Sequence, residues 1–318
     1  MSAFRHGYAF DPAYGYSKEA LLQIGAPEEP PGFSDYWLRR HERVRLLSAD
    51  PTVQPVESIH PEWDEFQLTF RTSDDLNLGG WLLTPKHQPV TRGFIVAHGY
   101  GGRQAPDHDL GLEGAALMFP CSRGLGLSRG GNIPENPDKH VVHGLPHRDG
   151  YVIGGCVEDV WMSVTALLEL FPQAEGRTGF VGTSFSGGVG ALAMAWEDRL
   201  QRGVLKVPSF GHHRLRLGCS TTGSTRALAK YAARHPAVWQ DLPFFDAAVA
   251  ARHIRQPVLV AAALFDPVVP PPAQFAIHNS LGSTGTLFAL TAGHFDHPGK
   301  DDEEARLRAA VTSHFSLL

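Results

Sequence analysis

Cysteine is scarce in this sequence. Three occur in 318 residues, at Cys121, Cys156 and Cys219. An odd number with no Cys-x-x-Cys pair argues against a disulfide framework and offers no zinc-ligand spacing. The three read as small buried hydrophobes. Blocks of one charge are missing as well: 28 basic side chains stand against 33 acidic ones, for a net charge of -5. Without a basic run, neither nucleic acid nor an anionic membrane surface is an expected partner. No apolar run is long enough to span a bilayer. The opening MSAFRHGYAFDPAYGYS lacks the basic-then-apolar order of a signal peptide, so the expected location is the cytoplasm. No Lys-Ser/Thr follows Gly124-x-Gly126 or Gly130-Gly131 at phosphate-loop spacing, and no strand–GxGxxG–helix unit occurs. No cofactor is therefore expected.

What is present suits one large α/β core: 42% of the residues are hydrophobic. Residues 1–60 are rich in proline, aromatics and charge. The segment from Phe33 to Ser48 looks helical, and Pro27, Pro30 and Pro31 require a turn or extended linker before it. The region reads as a helical extension packed on a main domain of residues 61–318. FQLTFRT and LGGWLLTP are β-like runs parted by the turn Ser73-Asp74-Asp75. GFIVAHGY (93–100), AALMFPC (115–121), TGFVGTS (178–184), GVLKVPSF (203–210), PVLVAAALFD (257–266) and LFALTAGH (287–294) read as buried strands. Tyr151 to Leu170 has helical spacing. Continuous apolar runs alternating with helices predict a mostly parallel sheet covered on both faces. A Gly/Pro/His-rich loop insertion at about 122–150 and a helical insertion at about 211–253 decorate it. A loop of the first kind tends to be functional.

The sharpest chemical signal is Gly182-Thr183-Ser184-Phe185-Ser186-Gly187-Gly188, between a buried strand and a small-residue helix. That is the setting of a nucleophile elbow, and it predicts an α/β-hydrolase fold. Ser186 stands where the usual pattern has glycine, and it is a weaker second candidate for the nucleophile. A serine needs a base, and the base needs an orienting acid. Asp266 and His294 each follow a predicted strand, in the chain order serine, acid, histidine. His98-Gly99-Tyr100-Gly101-Gly102 also follows a strand. Its glycines leave backbone N–H groups free, and one of them with the Phe185 N–H would make an oxyanion hole. His294-Phe295-Asp296-His297 could suggest a metal, but no matching ligand cluster accompanies it, so none is expected. His143, His147, His212 and His213 read as polar loop residues or, at most, pocket lining.

These motifs resemble the acetyl xylan esterase/cephalosporin-C deacetylase group, carbohydrate esterase family seven. Pro31-Gly32-Phe33-Ser34-Asp35-Tyr36-Trp37 is similar to the family's helix entry DFDEFW. Gly79-Gly80-Trp81-Leu82-Leu83-Thr84-Pro85 is similar to its GWLLLP strand, and His98 to Gly102 to its oxyanion strand end. Arg123 to Ser128 resembles its RGQGxS segment, and Phe265 to Pro271 its acid loop. The resemblance implies a triad of Ser184, Asp266 and His294, with oxyanion donors at the N–H groups of Tyr100 and Phe185. It implies deacetylation of small acylated alcohols, including xylo-oligosaccharides and cephalosporins, and a homo-oligomer, commonly a hexamer. The chain departs from the family motifs RGQ, GxSQG and HE. It carries Leu125, Phe185-Ser186 and Phe295 at the altered positions. Leu125 and Phe295 are accordingly expected in the substrate pocket, which together with Phe185 they would make more apolar. Three readings stay open: a serine esterase of short acyl esters, a dienelactone-hydrolase-like enzyme or peptidase, and a non-catalytic binding protein of the same fold.

Overall fold

Four strands of this chain are apolar along nearly their whole length because both of their faces are covered. The computed structural model describes residues 4–318. Residues 1–3, the start of the segment read for a leader, lie outside them. The strands are β1 (Thr52–Val56), β2 (Trp63–Arg71), β3 (Asn77–Pro85), β4 (Arg92–Ala97), β5 (Ala115–Pro120), β6 (Thr178–Thr183), β7 (Leu200–Lys206), β8 (Val258–Ala263) and β9 (Gly285–Leu290). They form one sheet in the order β1-β2-β3-β5-β4-β6-β7-β8-β9. β1, β2 and β3 pair antiparallel at one edge, and β4 to β9 run parallel. The mixed but mostly parallel sheet predicted from the sequence is therefore observed.

The helices are α1 (Lys18–Leu21), α2 (Phe33–Arg45), α3 (Pro137–His140), α4 (Val152–Leu170) and α5 (Phe185–Met194), then α6 (His213–Leu217), α7 (Ser224–Arg234), α8 (Ala247–Ala251), α9 (Pro271–Ser280) and α10 (Lys300–Phe315). α3 lies within 122–150, and α6, α7 and α8 lie within 211–253. Alternation along β4 shows the two layers. Ile95 and Ala97 join the core under α4 and α5, while Phe94 and Val96 join the one beneath α10. None of the helices among the described residues is long and apolar enough to cross a membrane. The three cysteines are unpaired, with Cys121 and Cys156 buried.

Two sequence expectations differ from the structure. β1 lies inside the stretch read as a helical extension, so the sheet begins before residue 61. Its residues are mostly exposed, and Pro55 lies within the strand, which an edge position tolerates. Little apolar pattern was there to read. β7 starts at Leu200 and stops at Lys206, because Val207 and Phe210 both turn to positive φ.

The hairpin between β2 and β3 is closed by its own polar side chains. Thr72 N–H donates to Leu76 O at 2.8 Å, and Thr72 Oγ1 donates to Asp74 at 2.5 Å. At the N-terminal side, α2 docks on α4. Trp37 is fully buried, donates Nε1–H to Phe244 O at 2.8 Å, and sets its ring edge-on to Trp161 and Phe245. Arg40 and Arg43 pair with the buried Glu158 of α4 at 2.8 and 2.6 Å. Trp37→Ala should therefore cost about 3–5 kcal/mol, through a lost aromatic and an orphaned carbonyl. Urea unfolding measures this as a lower midpoint at unchanged slope. A loss under about 1 kcal/mol would mean that α2 is an appendage rather than part of the core.

Candidate active site

The strand order reverses at β4 and β6. From β4 the chain moves out to β5, and from β6 it moves the other way to β7. Such a switch point opens a crevice beyond the carboxyl ends of the strands. The loop 98–102 leaves β4 there, and Ser184 leaves β6 there.

Ser184 is held at φ 57°, ψ -111°, a backbone region that costs a non-glycine residue about 1–3 kcal/mol. Its surroundings impose it. Ser184 N–H donates to Lys206 O at 2.8 Å, and Ser184 O accepts from Ser209 N–H at 2.9 Å and Gly188 N–H at 3.2 Å. Ser186 closes the same turn. Its Oγ accepts from Thr183 N–H at 2.9 Å and donates to Thr183 O at 3.1 Å. Ser186 is 2% exposed, so its hydroxyl is spent inside the turn.

Asp266 follows β8 and is fully buried. Oδ1 accepts from the N–H groups of Val268 and Val269 at 2.8 and 2.9 Å. Oδ2 accepts from Gln274 Nε2 at 2.9 Å and pairs with His294 Nδ1 at 2.8 Å. Gln274 cannot be turned over, because its Oε1 accepts the Ala263 N–H at 2.8 Å. With the carboxylate acting as acceptor, Nδ1 carries the proton and Nε2 of a neutral His294 is a lone pair. That lone pair lies 3.0 Å from Ser184 Oγ. The three residues named from the sequence thus meet at the carboxyl edge of the parallel sheet. Gly293 is needed beside them: a Cβ there would lie 2.4 Å from Asp266 Oδ2.

The loop after β4 completes the mouth. A Cβ on Gly99 would touch Ser184 Cβ at 3.5 Å, so this loop borders the serine. Burial lowers the pKa of His98 and keeps it neutral, with Nδ1–H donating to Gly99 O at 2.7 Å and Nε2 accepting Ser122 N–H at 3.1 Å. The Tyr100 N–H has no acceptor among the described residues. The Phe185 N–H opens α5 and has no intrahelical acceptor. Both are free to receive an oxygen that carries negative charge. A cavity of about 620 Å³ sits over Ser184, His294 and Tyr100.

Leu125, Phe185 and Phe295 do not line it, so the sequence expectation is corrected for this cavity, though Phe295 lines a smaller one of about 280 Å³ that also meets His294. Leu125 is 2% exposed, in the turn that carries the chain from β5 into the insertion. Phe185 is 1% exposed and packs its ring, tilted by 33°, against Tyr100 at 4.3 Å. Phe295 turns away onto Phe265, Tyr8 and Phe4. His297 lies 3.5 Å from Glu303, so it and His294 serve different partners. The cavity wall instead mixes polar side chains, Asn136, Asp138, Ser209, Thr222, Ser224 and Thr225, with the apolar Pro137, Val268 and Val269. Sequence reasoning also missed Gln274 and the N-terminal arm, whose Pro12 O accepts the Asp266 N–H at 3.1 Å. Neither carries a motif.

The family model Acetyl xylan esterase (AXE1) matches residues 22–304. The acetyl xylan esterase from Paenibacillus sp. R4 superposes with a TM-score of 0.77 at 21% identity, over 93% of this chain and 99% of that one. Acetyl xylan esterase 1 from a Thermoanaerobacterium species gives 0.78 at 20%, over 95% and 99%. An esterase from Pyrococcus furiosus gives 0.55 at 17%, over 82% and 96%. At these identities the structural likeness is one of fold.

Ser184 and Ser186 can be told apart by stability. Ser186→Ala leaves the Thr183 N–H buried without its acceptor, which should cost about 1–3 kcal/mol. Turnover per folded molecule should stay near wild type. Complete loss of turnover in a folded Ser186→Ala protein would return Ser186 to candidacy as the reacting serine.

Proposed function

The chain belongs to the acetyl xylan esterase family, and from that premise we propose that it deacetylates hydroxyl-rich, carbohydrate-like alcohols through Ser184, His294 and Asp266. It is a serine carboxylic-ester hydrolase acting on acetyl esters. The observation that carries the residue roles is the His294 bridge, 2.8 Å to Asp266 and 3.0 Å to Ser184.

Ser184 Oγ attacks the acetyl carbonyl carbon while its proton passes to His294 Nε2. The carbonyl oxygen becomes an oxyanion and takes the N–H groups of Tyr100 and Phe185. Asp266 keeps the imidazole in the Nδ1–H tautomer and steadies the imidazolium. The C–O bond to the alcohol then breaks, and His294 returns its proton to the leaving oxygen. Water enters, gives a proton to His294 and attacks the acetyl-Ser184 carbon. Acetate leaves and Ser184 regains its proton.

The substrate reading is supported by the cavity wall. Asp138, Ser224 and the Asn136 amide N–H can exchange hydrogen bonds with sugar hydroxyls, so desolvating those hydroxyls is not wasted, whereas Asn136 Oδ1 is spent capping α3 and Thr225 is buried. The apolar bias expected from Phe185 and Phe295 has no basis in the wall, since neither ring reaches it.

Two measurements test this reading. Ser184→Ala should reduce turnover of p-nitrophenyl acetate by roughly four to six orders of magnitude with the thermal midpoint retained. A folded variant with wild-type turnover would remove Ser184 from its role. The kcat/KM values for acetylated xylobiose, cephalosporin C and p-nitrophenyl acetate are then compared in wild type and Asp138→Ala. The sugar ester should be favoured, and the substitution should weaken it by about tenfold, the worth of one hydrogen bond, while sparing p-nitrophenyl acetate. An unaltered ratio would separate the wall from substrate choice.

A further inference from the structure

Tyr100 sits in a loop with few restraints of its own. Its neighbours are Gly99, Gly101 and Gly102, and a Cβ on Gly101 or Gly102 would touch nothing within 4 Å. Within the loop, one backbone bond, Gly102 N–H to Gly99 O at 3.0 Å, closes the turn. A backbone donor in such a loop stabilises an oxyanion only if something fixes it, because a displacement of about 1 Å can cost about 100-fold in rate. His98, bonded to Gly99 O and to the Ser122 N–H, holds the start of the loop, and the side chain of Tyr100 ties the donor residue itself to firm ground.

That ground is His140, the last residue of α3 and fully buried. His140 Nε2 lies 3.0 Å from Arg123 O. A carbonyl oxygen only accepts, so Nε2 carries the proton and Nδ1 is the lone pair. Tyr100 Oη lies 3.1 Å from Nδ1, and its O–H therefore donates to it. Burial holds the His140 pKa down at about 4 and pushes that of Tyr100 well above its usual value, so neither group changes charge near neutral pH. Arg123 is itself immobile. Its guanidinium grips Asp159 at 2.7 and 2.9 Å and Asp74 at 2.8 Å.

The same histidine reaches the second donor residue. The Tyr100 and Phe185 rings are 4.3 Å apart, and His140 meets both edge-to-face, at 5.4 Å and 5.8 Å. The three rings close a triangle. Two of its corners bear the N–H groups beside Ser184.

We propose that His140 is a positioning residue that clamps both oxyanion donors, through its hydrogen bond to Tyr100 and its ring contacts to Tyr100 and Phe185. The proposal rests on the reading of those two N–H groups as the oxyanion hole. It gives the Gly/Pro/His-rich insertion a task, since His140 and Arg123 both come from it. It also gives a task to Phe185, whose ring serves the donors from below and leaves the cavity alone.

The experiment uses the full chain with Tyr100→Phe, His140→Phe and the double variant. Tyr100→Phe loses a single oxygen and is the variant least able to disturb folding. Kinetics on p-nitrophenyl acetate are paired with binding of phenylboronic acid, which takes Ser184 Oγ onto boron to give a tetrahedral anion with an oxygen where the intermediate has one. Each single variant should lose about tenfold to 100-fold in kcat with KM nearly unchanged, because only the transition state uses the clamp. Boronate affinity should fall by the same factor. The double variant should be no worse than the poorer single one, since both remove the same bond. Wild-type kcat in both single variants, or a rise in KM at constant kcat, would overturn the clamp. If wild type binds phenylboronic acid and Tyr100→Phe and His140→Phe bind it equally well, the clamp alone fails. If wild type does not bind it at all, the reading of the oxyanion hole fails first.

Discussion

A carboxylate with no exposure to water has to be paid in hydrogen bonds, and Asp266 sets that demand for the C-terminal half of this protein. Its four acceptances draw on three separate places: its own loop at Val268 and Val269, helix α9 through Gln274, and the loop after β9 through His294. Each donor is then fixed in turn. Gln274 is locked by the Ala263 N–H and by Val269 O, so β8 and α9 are tied through one amide. Gly293 has to lack a side chain because the carboxylate occupies the space. The N-terminal arm joins the same knot, with Pro12 O on the Asp266 N–H and Tyr14 Oη on Ser220 O at 2.6 Å. Orientation of the His294 ring is thus a property of the whole sheet edge and of residues 12–14, more than of the Asp–His pair.

Much of this was legible in the sequence because it lies in contiguous runs. A strand buried on both faces prints itself as unbroken apolar residues, and β4, β5, β6 and β8 do so. Ser184, Asp266 and His294 each follow a strand, so the three could be singled out by position and order alone. A motif fixes where the backbone goes. It does not fix which way a neighbouring side chain points. Phe185 follows Ser184 at the start of α5, and its direction is set by Tyr100 and His140, far away in sequence. Phe295 follows His294, and its ring is met by Phe4 and Tyr8 from the other end of the chain. Such contacts leave no local pattern. β1 went unread for the opposite reason: an exposed edge strand has too little burial to pattern its residues.

The departures from the family motifs have a common physical form. Leu125, Phe185 and Ser186 are each 2% exposed or less, and Phe295 joins an aromatic cluster behind the triad. None of them adds an apolar group to the cavity. Ser186 shows how such a change is absorbed. A glycine there would leave the turn to the backbone, whereas the serine hydroxyl takes the Thr183 N–H and returns a bond to Thr183 O. The strained Ser184 backbone therefore gains a restraint in place of conformational freedom. Phe185 and Phe295 likewise put rings against rings, Tyr100 and His140 on one side and Phe265 and the N-terminal arm on the other. Dispersion and edge-to-face contacts hold position well but are short-ranged, so these rings can steady the Tyr100 loop and the His294 loop without altering the field at Ser184. Divergence has gone into the supports of the site and not into the cavity wall made by Asn136, Asp138, Ser224 and Val268.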